Sequence, residues 1–373
     1  MTPTHWSETD QQFMRQAIGL AWRGLYTTDP NPRVGCVLVL DGRVIADGWH
    51  ERAGAPHAER NALANAGAAA RGTTCYVTLE PCSHTGRTGP CADALIAAGV
   101  KRVVAAMLDP NPLVAGRGLE RLRDAGIEVE CGLLEEHARK LNPGFCKRME
   151  SGQPWVRIKL AMSADGRTAL ADGESKWITG PLAREGVQQL RARSSAIITG
   201  IGTVLADNPA LTVRKEDWHE ASYPGKVRQP LRVILDPRLR IAADARVLTG
   251  PGEALVVTGA ETDAVRHLRD SGVEVITLPA SGSGIDLPTL LSLLAERGCN
   301  EVLVEAGSTL AGAFVREGLF DEMVVYMAPT LLGPTARPLL MLPELESMAA
   351  RPKLRITHLQ QVGEDICMTL GKA

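Results

Sequence analysis

From Thr74 to Gly132 the chain alternates strand-like and helix-like segments: TCYVTLE, CADALIAAG, VKRVVAAM, GLERLRDAG and IEVECG. Both helical segments stop at a glycine, Gly99 and Gly126. A βαβαβ run leaves few choices of fold, because parallel neighbours need right-handed crossovers and the helices must cover the sheet faces. An α/β architecture is expected. Upstream, Phe13, Met14, Ala17, Ile18, Ala21 and Trp22 recur at helical spacing. VGCVLVLDGRVIADG then reads as a β-hairpin turning at Asp41-Gly42, and AERNALANAG as a short helix capped by Gly67.

The pattern restarts in the second half. WVRIKLAMS, SSAIITG, PLRVILD, EALVVTG, VEVITL, NEVLVEAG and FDEMVVYMAP read as strands, with GPLAREGVQQLRARS, TDAVRHLRDSG and LPTLLSLLAERG as helices between them. LRITHLQQVGEDICMTL reads as a closing hairpin. A boundary falls at MESGQPW, where turn-forming residues separate two apolar-periodic regions. The segment before it, LEEHARKLNPGFCKRM, reads as one helix that packs across the junction. The 373 residues suit two domains, 1–150 and 151–373.

Composition excludes several classes. A net charge of −2 and 4% aromatic residues argue against a nucleic-acid groove. No apolar run reaches the roughly 18 residues of a membrane span. MTPTHWSETDQQ is polar and lacks the apolar centre of a secretory leader, so a cytoplasmic location is expected. Eight cysteines in so long a chain do not make a disulfide scaffold. Cys36, Cys75, Cys131, Cys146, Cys299 and Cys367 read as small buried residues.

Cys82 and Cys91 differ. They bracket LEPCSHTGRTGPC, a spacing longer than the usual two residues between zinc cysteines. PHAERNAL lies upstream and places His57 and Glu59 at a helix start, and Cys91 opens the next helix. H-x-E, then P-C, then a second Cys is the pattern of zinc-dependent base deaminases, with the spacer lengthened. His57, Cys82 and Cys91 supply three ligands of the types zinc accepts and leave a position open for water. Two helix N-termini favour thiolates. Glu59 suits proton transfer from water to the leaving amine. A structural zinc site would instead need a fourth ligand, for which His84 or Cys75 would serve.

HAE followed by EPCSHTGRTGPC resembles the bifunctional deaminase/reductase family of riboflavin biosynthesis, as do TDPNPRVGCVLV upstream and KLAMSADGRTA, TGIGTVLADNPALTVR and EAGSTLAGAF downstream. The likeness spans nearly the whole chain. Gly89 stands where that family usually has proline. The resemblance implies a cytidine-deaminase-like αβα domain over 1–150, followed by a dihydrofolate-reductase-like α/β domain over 151–373 that uses NADPH. It implies one zinc per chain and a homodimer. The small-molecule substrate implied is 2,5-diamino-6-ribosylamino-4(3H)-pyrimidinone 5′-phosphate, deaminated at its exocyclic amine. The ribosyl group of 5-amino-6-(5-phosphoribosylamino)uracil is then reduced to ribityl. No nucleic acid or membrane takes part. A nucleic-acid base deaminase with an appended nucleotide-binding domain is the competing reading, and a structural zinc domain is a third.

By the same resemblance Asn31 contacts the deaminase substrate, and His84 and Arg87 lie on the loop over it. Taken alone, Asn31 is a turn residue between two prolines. Lys159 and Asp207 are implied in reduction; without the resemblance, Lys159 reads equally as a solvated strand lysine and Asp207 as a turn aspartate. Ser175, Arg191, Leu211, Arg214 and Glu305 map to the substrate, the arginines being suited to a phosphate monoester. Ala161, Trp177, Thr203, Asp207, Gly307, Ser308, Thr309 and Leu310 map to NADP. Independently, EAGSTL ends a strand and opens a helix with small residues, a place where backbone N–H groups can hold a pyrophosphate.

Overall fold

The computed structural model describes residues 6–83, 89–112, 114–214, 227–259, 261–281 and 284–373. The chain divides into two compact units, Met1–Gly152 and Gln153–Ala373.

The first unit runs α1 (Glu8–Trp22), β1 (Gly35–Leu40), β2 (Arg43–Trp49), α2 (Ala58–Ala66), β3 (Thr74–Val77), α3 (Cys91–Ala98), β4 (Arg102–Ala105), α4 (Arg117–Asp124), β5 (Glu128–Cys131), α5 (Glu135–Leu141) and α6 (Pro143–Ser151). The sheet order is β2-β1-β3-β4-β5. The first three strands pair antiparallel, and β3, β4 and β5 pair parallel, as the βαβαβ pattern requires. Asp41 and Gly42 both take positive φ, the geometry that makes Asp-Gly a hairpin turn. Side-chain alternation divides the strands between two cores. Cys36, Leu38, Cys75, Val77 and Val103 face α2, α3 and α4, while Val37, Val39, Tyr76 and Val104 face α1, α5 and α6. The result is three layers.

LEEHARKLNPGFCKRM is two helices, not one. Pro143 has no N–H to continue α5 and instead opens α6, while the Asn142 side chain bonds both the N–H and the carbonyl of Arg33 (2.7 and 2.9 Å). Ala138, Phe145 and Cys146 from this pair are buried in the α1-side core of their own unit.

The second unit contains β6 (Trp155–Ser163), β7 (Arg167–Ala169), α7 (Pro181–Arg193), β8 (Ala196–Gly200), α8 (Ile201–Asp207), β9 (Leu231–Leu235), α9 (Arg246–Thr249), β10 (Ala254–Thr258) and α10 (Asp263–Asp270). It continues through β11 (Glu274–Thr277), β12 (Ala280–Ser281), β13 (Gly284–Ile285), α11 (Leu287–Glu296), β14 (Glu301–Glu305), α12 (Ser308–Arg316), β15 (Glu322–Ala328), β16 (Arg337–Pro338), β17 (Leu354–Val362) and β18 (Asp365–Lys372). Its main sheet has nine strands in the order β11-β10-β9-β8-β14-β6-β15-β18-β17. The strands from β11 to β15 are parallel, and the closing hairpin is antiparallel. Val156, Ile158 and Leu160 of β6 enter one core, so Arg157 and Lys159 face the other side. Arg157 is 2% exposed and reaches Glu301 on β14 (3.1 Å) and Glu322 on β15; Arg193 of α7 also binds Glu301 (3.0 Å).

In the first unit Asp10 ties α1 to the sheet. It forms a capping box with Ser7 and accepts from Tyr76 Oη (2.7 Å) and Arg102 (2.8 Å). Burial opposes its ionisation, but the hydrogen bonds from Ser7, Tyr76 and Arg102 outweigh this and hold the carboxyl at about 2. Against an unfolded value of 3.8 this contributes about 2 kcal/mol. The contribution is complete above about pH 4, where both states are ionised, and is lost toward about pH 2 as only the unfolded chain takes up the proton. Asp10→Asn is therefore expected to lower unfolding free energy near neutral pH, with a deficit that shrinks on acidification. Urea titrations of both proteins across that range measure it, and a pH-independent deficit would contradict the assignment.

Candidate active sites

The first candidate site gathers where two helices begin. His57 is the N-cap of α2 in extended conformation, and Cys91 is the first residue of α3. Cys82 follows β3. His57 Nδ1 lies 3.7 Å from Cys82 Sγ and 3.4 Å from Cys91 Sγ, and all three donor atoms lie within 4.8 Å of one another. Tetrahedral zinc with ordinary bond lengths places nitrogen and sulfur ligands about 3.6 Å apart, so this donor set fits the metal. The Cys91 N–H donates to Cys82 Sγ (3.3 Å), and the Ala92 N–H donates to the Cys82 carbonyl (3.2 Å), so the start of α3 holds Cys82. The hydrogen bond from Cys91 pulls the Cys82 thiol down to about 4, which makes it the thiolate of the pair at neutral pH.

Glu59, in the first turn of α2, is 3% exposed. Burial pushes its carboxyl up to about 7, into the range of a proton carrier. Helix α2 can come so close because β2 has Gly48 opposite it: a Cβ there would lie 2.5 Å from Ala62 N and 2.7 Å from Ala58 O.

Asn31 reaches the site through a residue the sequence did not single out. Its amide donates to His50 Nε2 (3.1 Å), His50 Nδ1 donates to the Pro56 carbonyl (3.0 Å), and the His50 ring meets the His57 ring edge-on at 5.3 Å. Burial lowers the His50 pKa, in keeping with the neutral ring these bonds require. His84 and Arg87 lie outside the described residues. Gly89 is tied at its carbonyl by the Arg60 guanidinium of α2 (2.6 Å).

Glu80, two residues before Cys82, was also missed. It is 3% exposed and its carboxylate accepts four backbone N–H groups, from Asp109 (3.1 Å), Gly116 (2.9 Å), Gly118 (2.8 Å) and Leu119 (3.4 Å). The start of α4 is thereby drawn against the Pro81 peptide. A Cβ on Gly118 would lie 1.9 Å from the Pro81 carbonyl oxygen.

The second candidate site is a cavity of about 1670 Å³ at the carboxyl ends of the parallel strands, the position at which open α/β sheets bind ligands. Every second-half site residue named from sequence lines it: Lys159, Ala161, Ser175, Trp177, Arg191, Thr203, Asp207, Leu211, Arg214, Glu305, Gly307, Ser308, Thr309 and Leu310. Lys159 and Glu305 are register partners on β6 and β14. Arg191 of α7 clamps Glu305 with two hydrogen bonds (2.6 and 2.8 Å) and gives a third to the Thr212 carbonyl (3.0 Å). Burial opposes Glu305 ionisation, but Arg191 outweighs it and holds the carboxyl below its ordinary range. Arg191, expected at the substrate's phosphate, lines the cavity and also orients Glu305, giving three donors to it and to the Thr212 carbonyl. Burial pushes the Lys159 pKa down, partly offset by Glu305. Asp207 ends α8 and pairs with Lys176 at 3.9 Å. Gly307 is the N-cap of α12, so the backbone N–H groups that follow open into the cavity.

Comparison with known proteins fits both sites. Residues 7–107 match the cytidine and deoxycytidylate deaminase zinc-binding region, and residues 154–368 match the RibD C-terminal domain. The riboflavin biosynthesis protein RibD of Escherichia coli is 51% identical over 97% of this chain and 99% of its own, and that of Haemophilus influenzae is 48% identical over 97% of each. The chain belongs to the RibD family. Among solved structures, Acinetobacter baumannii RibD superposes with a TM-score of 0.91 at 49% identity, covering 98% of this chain and 99% of that one. A Thermotoga maritima diaminohydroxyphosphoribosylaminopyrimidine deaminase/5-amino-6-(5-phosphoribosylamino)uracil reductase gives 0.84 at 35%, with the same coverage. As a RibD protein the chain is a bifunctional deaminase and reductase of riboflavin biosynthesis, with zinc and NADPH as cofactors. The α/β class expected for each half is the one observed.

Gly118 offers a direct test of the zinc loop's outer support. Gly118→Ala must displace Pro81 and is expected to cost about 1–3 kcal/mol and to loosen the Cys82 position. Zinc retention against a chelator, measured with the melting curve, should fall; wild-type retention and melting would contradict the packing.

Proposed function

We propose that the first unit hydrolyses the exocyclic amine of 2,5-diamino-6-ribosylamino-4(3H)-pyrimidinone 5′-phosphate. The second then reduces the ribosyl group of the product to ribityl. The observation that carries the first assignment is the convergence of His57 Nδ1, Cys82 Sγ and Cys91 Sγ beside the buried carboxyl of Glu59. His57, Cys82 and Cys91 would hold the zinc, whose chemistry there would be to lower the pKa of a water. Glu59 takes the proton of the attacking water and gives it to the departing amine, so ammonia leaves. Asn31, held by His50, orients the pyrimidine, and His84 and Arg87 are assigned to the same substrate.

In the reductase, the cavity would hold NADPH, whose chemistry there would be donation of hydride to the anomeric carbon. Lys159 gives a proton to the ring oxygen released as the sugar opens, and Glu305 keeps that lysine in place. Glu305 also draws in Arg191 and Arg214, so three cations surround one carboxylate and leave an excess of positive charge for a phosphate monoester. Arg191 and Arg214 are assigned to that phosphate, with Ser175, Leu211 and Glu305 beside the substrate. Ala161, Trp177, Thr203, Asp207 and the turn from Gly307 to Leu310 hold the cofactor. Among the described residues no helix is long and apolar enough to cross a membrane. We read the protein as a cytoplasmic homodimer acting on a small molecule, and light scattering of the purified chain tests the dimer.

Glu59→Gln is expected to slow ammonia release by about 10²–10⁴-fold while leaving reduction of the deaminated intermediate intact. Lys159→Gln should do the reverse, abolishing NADPH oxidation and preserving deamination. Loss of both activities in either folded variant would refute independent sites.

A further inference from the structure

The cavity in the second unit has two ends. Lys159 marks β6, and β14, β8 and β9 follow in order across the sheet. Neighbouring strands lie about 4.8 Å apart, so the end of β9 is roughly 14 Å from that of β6. The Gly307 turn after β14 and the Gly200 turn after β8 fall between them. A dinucleotide with its reacting ring beside Lys159 and its pyrophosphate over Gly307–Leu310 therefore points its adenosine toward β9.

The wall at that end is the connection from β9 together with the start of α9. Pro237, Arg240 and Arg246 from it line the cavity. Arg240 and Arg246 are exposed, and among the described residues neither guanidinium has a carboxylate partner. The carboxylates lining the cavity are matched elsewhere: Asp207 with Lys176 (3.9 Å), Glu305 with Arg191 (2.6 Å) and Glu317 with Arg316 (3.2 Å). Two unneutralised guanidiniums thus face the place where the adenosine ribose must lie. A ribose 2′-hydroxyl offers them little, whereas a 2′-phosphate carries close to two negative charges and accepts bidentate bonds from arginine.

We propose that Arg240 and Arg246 bind the 2′-phosphate of NADPH and set the preference for it over NADH. The proposal rests on the reading of this cavity as the NADPH site. Both side chains are exposed, so Arg240→Gln and Arg246→Gln are expected to fold. Calorimetric titration of the full-length protein with adenosine 2′,5′-bisphosphate and with adenosine 5′-monophosphate reads the site without turnover. Each variant is expected to weaken the bisphosphate by roughly 10- to 100-fold, the double variant more, with the monophosphate unchanged. The dependence of bisphosphate affinity on salt should flatten in parallel. Thr309→Trp, which fills the mouth at α12, separates the two levels of the argument. If it abolishes NADPH binding while the arginine variants bind the bisphosphate like wild type, the arginine assignment is overturned and the cavity reading stands. If it leaves NADPH binding intact, the cavity reading itself is wrong.

Discussion

A sheet buried on both faces confines polar chemistry to the ends of its strands. The first unit meets this condition with three layers, its strands alternating side chains between two apolar cores. What remains for chemistry is the rim where strands end and helices begin. His57 caps α2, Cys91 opens α3 and Cys82 follows β3, so the three donors meet at two helix N-termini. Orphan N–H groups and the helix dipoles favour thiolate there. The second unit repeats the arrangement on a larger sheet, with Gly307 capping α12 at the rim of its cavity.

One face of the second sheet breaks the rule, and it does so in two tiers. In the lower tier Arg157 sits between Glu301 and Glu322, with Arg193 completing a balanced set of two cations and two anions. Such a set adds little net stability over an apolar core, but removing one member leaves a charge stranded, at a cost of about 3–5 kcal/mol. It therefore fixes how β14, β6 and β15 sit side by side. Four residues further along β14, Glu305 meets Lys159 and Arg191 in the upper tier. Among the described residues the lower tier pairs two cations with two anions, while the upper opens into the cavity with cations in excess. The same residue types thus serve alignment at one level and line the cavity at the next.

The regular elements were legible because periodicity of two and of 3.6 survives without knowledge of partners. His57, Glu59, Cys82 and Cys91 were legible because zinc chemistry restricts residue type and order together. Less visible were features that depend on distant partners. Arg157 looks like an ordinary polar position in an alternating strand, and its carboxylates lie 144 and 165 residues away. The clamp of Arg191 on Glu305 spans 114 residues, so the arginine's part in orienting that carboxylate had no local mark in the sequence. The break between α5 and α6 was within reach, since Pro143 was in plain view. His50 and Glu80 had no pattern to mark them: each acts through backbone or amide groups that carry no sequence signature.

Glu80 also differs in kind from the carboxylates that arginine holds. Among the described residues its charge is met by backbone N–H groups rather than by a cation. The exposed pair of Arg121 with Asp93, by contrast, weakens as dissolved ions screen it. A buried carboxylate seated on fixed peptide dipoles has no mobile partner to lose and little solvent through which salt can act. The register between α4 and the Cys82 loop is thus shielded from the ionic strength of the surroundings, so Cys82 keeps its place relative to His57 and Cys91 when salt changes.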